Sequence, residues 1–175
     1  METMSDTTTE RRQELERLFG SDGARIWRAL LAFAGDADVA NEARAEAFAQ
    51  ALAHGDEIRS PAAWVWTTSF RIAKGLLKER SRRSDSRACD VAYSIPDPVR
   101  DLVDALKTLP PQQRLAIVLH DYADRPTTEV AAILGSSRAT VHVHLSAARK
   151  RLRPLLEEHT DAWKPVRPRC GRRTR

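Results

Sequence analysis

TTEVAAILGSSRATVHVHLSAARKRLR, residues 127 to 153, decides the reading of this chain. It divides into a short helix, a glycine turn and a longer helix carrying five basic side chains and no acid. In the first helix Val130, Ile133 and Leu134 recur at the interval of one helical face, and Ala131 is small enough to let a second helix approach closely. Gly135 suits the left-handed position that ends a helix, and Ser136 or Ser137 can cap the next one. Val141, Leu145, Ala148 and Leu152, spaced by four, three and four, predict the buried stripe of the second helix.

That stripe is expected to leave Arg138, His142, Ser146, Arg149 and Arg153 on the outer side, with Thr140 and His144 flanking them. A helix fits the DNA major groove, where its first side chains meet base edges and later cations meet phosphates. Arg138, Thr140, His142 and Val143 are therefore the candidate base readers, with His144 beside them, and Arg149, Lys150 and Arg153 the candidate phosphate contacts. The competing reading is an ordinary two-helix corner with a solvated basic face. His142 and His144 are two residues apart and point about 200° from each other on a helix, which disfavours them as a metal pair.

Charge supports the nucleic-acid reading. The chain has 175 residues and a formal net charge of +5, distributed unevenly. Basic against acidic residues number 11 to 13 over residues 1–80, 5 to 5 over 81–108 and 13 to 6 over 109–175. The last third should attract a polyanion, and the first third should meet something else. Cys89 and Cys170 lack any ligand spacing, so reduced thiols without metal or disulfide are expected, and no cofactor is implied. The opening METMSDTTTERRQ is polar and no apolar run has the length of a membrane span, which points to a cytoplasmic protein without membrane insertion.

Apolar periodicity predicts an all-α fold of two small helical domains joined by a flexible linker. Residues 1–15 are expected to be disordered, and residues 16–80 to form a three-helix bundle. In that bundle ARIWRALLAFAG stops at Gly35, Asp36 or Asp38 caps the second helix, and Ser60 with Pro61 opens the third. Residues 81–96, SRRSDSRACDVAYSIP, read as the linker, able to span roughly 55 Å. The second domain covers 97–158. Asp97 caps a helix bearing Val99, Leu102, Val103 and Leu106, and another begins after Pro110, burying Leu115, Val118, Leu119 and Tyr122. Residues 159–175 have the composition of a basic tail.

LPPQQRLAIVLHDYADRPTTEVAAILGSSRATVHVHLSAARKRLR resembles region 4 of the sigma-70 family over 45 positions, and the chain looks like a short sigma factor of the extracytoplasmic-function (ECF) type. Glu129, Val130, Ala131, Leu134, Gly135, Thr140, Val141, Leu145, Ala148, Arg149 and Leu152 carry the likeness. The usual Lys-Ser-Arg of the recognition helix is replaced by His142, Val143 and His144. Residues 16 to 80 resemble region 2. There NEARAEAFAQAL keeps Glu42, Glu46 and Phe48 but has Ala45 where Gln is typical.

The resemblance implies a subunit that binds core RNA polymerase at its clamp and flap and directs initiation at promoter DNA. Region 4 would recognise the minus-35 element. Region 2 would open the minus-10 element through Trp66, Arg71, Lys74 and Lys78, with Trp64 in the core, and meet the clamp through Glu42, Glu46 and Phe48. An anti-sigma factor is implied as a further partner. The alternative function is a stand-alone helix-turn-helix regulator binding DNA as a dimer. An enzyme is disfavoured, because no nucleophile has a base nearby in a recognisable motif and no phosphate-binding glycine loop is present.

Overall fold

The computed structural model describes residues 3–54, 58–83 and 97–157. Seven α-helices make up the described chain, which contains no strand: α1 (Thr3–Ala34), α2 (Ala37–Ala53), α3 (Pro61–Arg83), α4 (Asp97–Lys107), α5 (Pro111–Ile117), α6 (Thr127–Leu134) and α7 (Arg138–Glu157). A π-helical turn, Val118–Tyr122, continues α5. Cys89, the bulk of the expected linker, and Cys170 with the basic tail lie outside the described residues.

The front half is an antiparallel arrangement of α1, α2 and α3 around Ile26, Leu30, Phe33, Val39, Val65 and Phe70. Gly35 ends α1 with φ +67°, and Asp36 Oδ1 caps α2 by accepting from the amides of Asp38 (2.9 Å) and Val39 (3.0 Å). Alanines at 40, 43, 47 and 51 are fully buried on α2, so neighbouring helix backbones can approach without bulky side chains between them. Pro61 opens α3, where its missing N–H costs nothing, and the Ser60 carbonyl accepts from the Trp64 amide at 3.0 Å.

Two expectations about segment ends are corrected. The first 15 residues are helical from Thr3 as part of α1, with Leu15 buried and Arg12 paired to Glu16 one turn on at 3.5 Å. Helix α3 also runs to Arg83, into the segment read as linker.

In the back half α4, α5, α6 and α7 enclose Val103, Leu109, Leu115, Leu119, Val130, Val141 and Leu145. Tyr122, expected inside, is exposed, as is Leu102. For Tyr122 the reason is the π turn: the Ala123 amide reaches back five residues to the Val118 carbonyl at 3.0 Å, which widens the turn and delays the side-chain register.

The halves do not merely share a tether; they pack together. Helix α1 touches α4, α5 and the π turn, and α3 touches α6. Arg114 donates to the carbonyls of Phe33 (3.1 Å), Lys107 (3.0 Å) and Leu109 (3.1 Å), tying the end of α1 to the α4–α5 junction. Burial lowers the pKa of this guanidinium from its ordinary value. Arg25 pairs with Asp124 at 2.6 Å, the Lys74 ammonium donates to the Ile133 carbonyl at 3.3 Å, and the Arg125 guanidinium lies over the Trp66 ring at 4.6 Å.

Candidate nucleic-acid interface

The helix-turn-helix is built as its apolar spacing requires. Val130, Ala131, Ile133 and Leu134 of α6 are buried, and Gly135 turns the chain at φ +69°. A Cβ at Gly135 would meet no atom within 4 Å, so backbone conformation rather than space calls for glycine there. Ser137 is the cap of α7: its Oγ accepts from the Thr140 amide at 3.1 Å and shares a hydrogen bond with Thr140 Oγ1 at 2.9 Å. The stripe Val141, Leu145, Ala148 and Leu152 is buried.

The outer face of α7 differs from the expected one. At 100° per residue, Ala139, Val143 and Lys150 stand roughly opposite the middle of the buried stripe, whereas Arg138, His142, Arg149 and Arg153 form one flank. Arg138, Ala139, His142, Val143, Ser146, Lys150 and Arg153 are exposed. Of the predicted contacts, two are engaged elsewhere in this conformation and a third is partly covered. The Thr140 hydroxyl is part of the cap. His144 is half-buried and its Nε2 has no hydrogen-bond partner. Arg149 makes a two-pronged pair with Asp121, Nε to Oδ2 at 3.0 Å and Nη2 to Oδ1 at 2.7 Å.

Asp121 also meets His120 Nδ1 at 2.6 Å. Burial by itself would raise the Asp121 pKa, but hydrogen bonds from Arg149 and His120 and the attraction of their charges outweigh it, so the pKa is lowered. The same carboxylate raises the Arg149 pKa. A carboxyl whose pKa is depressed by folding stabilises the fold above its unfolded value, near pH 4, and that contribution disappears as pH falls through the folded value. Asp121→Asn should therefore be less stable than the parent at pH 7, with the gap closing under acid. Urea unfolding at pH 7 and again below about pH 4 measures it; a gap independent of pH would mean that the ion pair is not its source.

In the front half Arg71, Lys74 and Lys78 are exposed on α3. Trp66, expected at the strand-opening surface, is fully buried, stacked on Phe70 with centroids 6.1 Å apart and rings 9° from parallel. Trp64, expected in the core, is half-buried and lines an open cleft of about 740 Å³ with His54, Arg59, Thr67 and Arg71. The two tryptophans exchange the predicted places because position 66 shares its helical face with Phe70, four residues on, under the back half. Sequence reasoning missed the cleft, because Arg59 and His54 reach it from the far end of α2 and the segment that follows.

On α2, Glu42 and Glu46 are exposed, with Ala45, Ala49 and Leu52 on the same face. Phe48 is turned inward, edge-on to Phe19 at 5.0 Å, and is not part of that surface. Phe19, half-exposed with the Arg44 guanidinium 5.4 Å from its ring, is the aromatic that reaches solvent here, and no periodicity marked it.

A capped helix-turn-helix with a basic, solvent-facing second helix belongs to the class of DNA-binding proteins that read the major groove. Residues 100–152 match the family model for sigma-70, region 4. The chain is 28% identical over 162 residues to the ECF RNA polymerase sigma factor SigL of Mycobacterium tuberculosis, covering 82% of this chain and 89% of that one. It is 46% identical over 56 residues to the RNA polymerase sigma-E factor of Streptomyces antibioticus, covering 32% of this chain and 31% of that one.

Its fold is similar to the sigma factor RpoE of Bartonella quintana, solved in complex with the anti-sigma factor NepR (TM-score 0.68, 24% identity, 83% of this chain and 96% of that one). It is also similar to CnrH, solved with the cytosolic domain of CnrY (TM-score 0.66, 20% identity, 88% and 94%). Residues 100–152 are thus similar to sigma-70 region 4, and the chain over most of its length to sigma factors of the extracytoplasmic-function type. The relatives it matches are RNA polymerase sigma factors, and the comparisons do not favour the stand-alone dimeric regulator. Among the described residues no helix is long and apolar enough to cross a membrane.

Proposed function

We propose that the chain divides its work between the two halves as follows. The exposed amino-terminal part of α7, with Arg138, His142 and Val143, reads the minus-35 element, while Lys150 and Arg153 hold phosphates. The cleft beside Trp64, flanked by Arg59 and Arg71, receives the separated minus-10 strand, with Lys78 along the same helix. Stacking of an unpaired base on an exposed aromatic contributes about 1–3 kcal/mol, and Trp64, unlike Trp66, has an accessible edge. The outer face of α2, with Glu42 and Glu46 beside Leu52, meets the polymerase clamp.

The residue segments 16–80 and 97–158 act as the two functional modules of a subunit that directs promoter-specific initiation by core RNA polymerase. The protein works in the cytoplasm and has no chemistry of its own. An anti-sigma protein is a further partner, by likeness to the sigma factor RpoE solved with one.

The observation that carries this reading is the region 4 match coinciding with a capped helix whose apolar stripe is buried and whose Arg138, His142 and Val143 are free to solvent. The test is in vitro transcription with core polymerase and the full chain on pooled genomic fragments. Discrete start sites that need both components are expected; initiation no different from core polymerase alone would sink the reading.

A further inference from the structure

The amino-terminal part of the outermost strip of α7, before Lys150, is apolar. Val143 is 66% exposed, more than any other large apolar side chain among the described residues. Ala139 precedes it by one turn and is exposed, and Ala147 follows by one turn and is half-buried. The polar groups that could have served this strip are engaged elsewhere: Thr140 with Ser137, and Arg149 with Asp121. Hydrogen-bonding side chains remain on the flank, at Arg138 and His142, and one turn on, at Ser146.

In the major groove an adenine or guanine edge offers N7 with N6 or O6, and cytosine offers the N4 donor. A valine laid over any of these removes water from a polar atom and returns no hydrogen bond, which is unfavourable. Thymine alone presents a C5-methyl group beside its O4 acceptor, and isopropyl laid on that methyl buries apolar surface without covering the oxygen. We propose that Val143 is a specificity-determining residue that selects a thymine, through its C5-methyl group, at one position of the upstream promoter element. The inference rests on α7 reading that element and adds which base chemistry its centre accepts.

The experiment uses holoenzyme assembled from core polymerase and the full chain. Binding sequences are enriched from duplexes randomised across the upstream element, and the best is resynthesised with each thymine in turn replaced by uracil, which removes the methyl and keeps the pairing. One position should lose about fourfold in affinity, the factor that one buried methyl group supplies. With Val143→Ala or Val143→Ser, thymine and uracil should bind equally at that position. Both substitutions are at an exposed site outside the core, and unchanged binding to core polymerase reports that the fold is intact.

Uracil tolerated at every position by the parent, or an equal loss in Val143→Ala, overturns the assignment to Val143 and leaves the functional reading standing. Failure of holoenzyme to enrich any sequence overturns both.

Discussion

Trp66→Ala should lower the unfolding free energy by about 3–5 kcal/mol, the usual cost of truncating a fully buried tryptophan. The indole is 0% exposed, lies parallel to Phe70 at 6.1 Å, and carries the Arg125 guanidinium on its face at 4.6 Å. Truncation opens a cavity between α3 and the back half and removes a cation–π contact that contributes about 2 kcal/mol where water is excluded. A domain of this size has only about 5–15 kcal/mol in total, so the loss is a large fraction of it.

Trp66→Phe is the control. It keeps an aromatic ring and removes an indole Nε1 that is buried without a partner, and it should cost less than about 1.5 kcal/mol. Urea denaturation followed by far-ultraviolet circular dichroism measures both. If Trp66 instead stacked on DNA, Trp66→Ala would leave stability unchanged and impair only strand opening. A double-mutant cycle with Arg125→Ala then isolates the contact between halves, and a coupling of zero would mean that the two halves are separate in solution.

Arg138→Glu should reduce binding of holoenzyme to its enriched promoter duplex by roughly 100-fold or more while leaving the fold as stable as before. Arg138 is the first residue of α7, exposed, and pairs with no acid among the described residues. Its guanidinium can reach a guanine edge in two-pronged fashion, a contact worth about 1–3 kcal/mol, and reversing the charge adds repulsion from the phosphates. For the isolated protein the same change is mildly favourable, because an acid in the first turn of a helix meets the partial positive charge of unpaired amides, by about 0.3–1 kcal/mol. Ser137 still caps the helix. Fluorescence anisotropy on the labelled duplex and a thermal melt of the free protein test the two signs separately. A fall in melting temperature together with lost binding would mean that Arg138 supports the fold instead of reading DNA.

The order of the helices, their stops at Gly35 and Gly135, a cap at Asp36 or Asp38 and the buried stripe of α7 were legible in the sequence, because each depends on neighbours within about one turn. Backbone preference at a left-handed position, a side-chain oxygen near two free amides and apolar residues at helical intervals are all local facts. The long helix at the amino terminus was not legible, since its polar first turns lack a stripe, and Leu15 finds its burial only in the folded chain. Tyr122 was misplaced for want of any local mark of the π turn.

For the candidate site the sequence by itself determined that a basic helix would stand free after Gly135 and that Arg138, His142 and Val143 would be on it. Only the tertiary structure decided which of its cations are available, since Asp121, 28 positions before Arg149, takes up that guanidinium, and nothing along the chain links the two. It likewise decided that Trp66 is core and Trp64 surface, because the back half, through Arg125, covers one face of α3 and leaves the other to solvent. Helical periodicity specifies which residues share a face; which face is covered depends on partners distant in sequence, and those are chosen by packing.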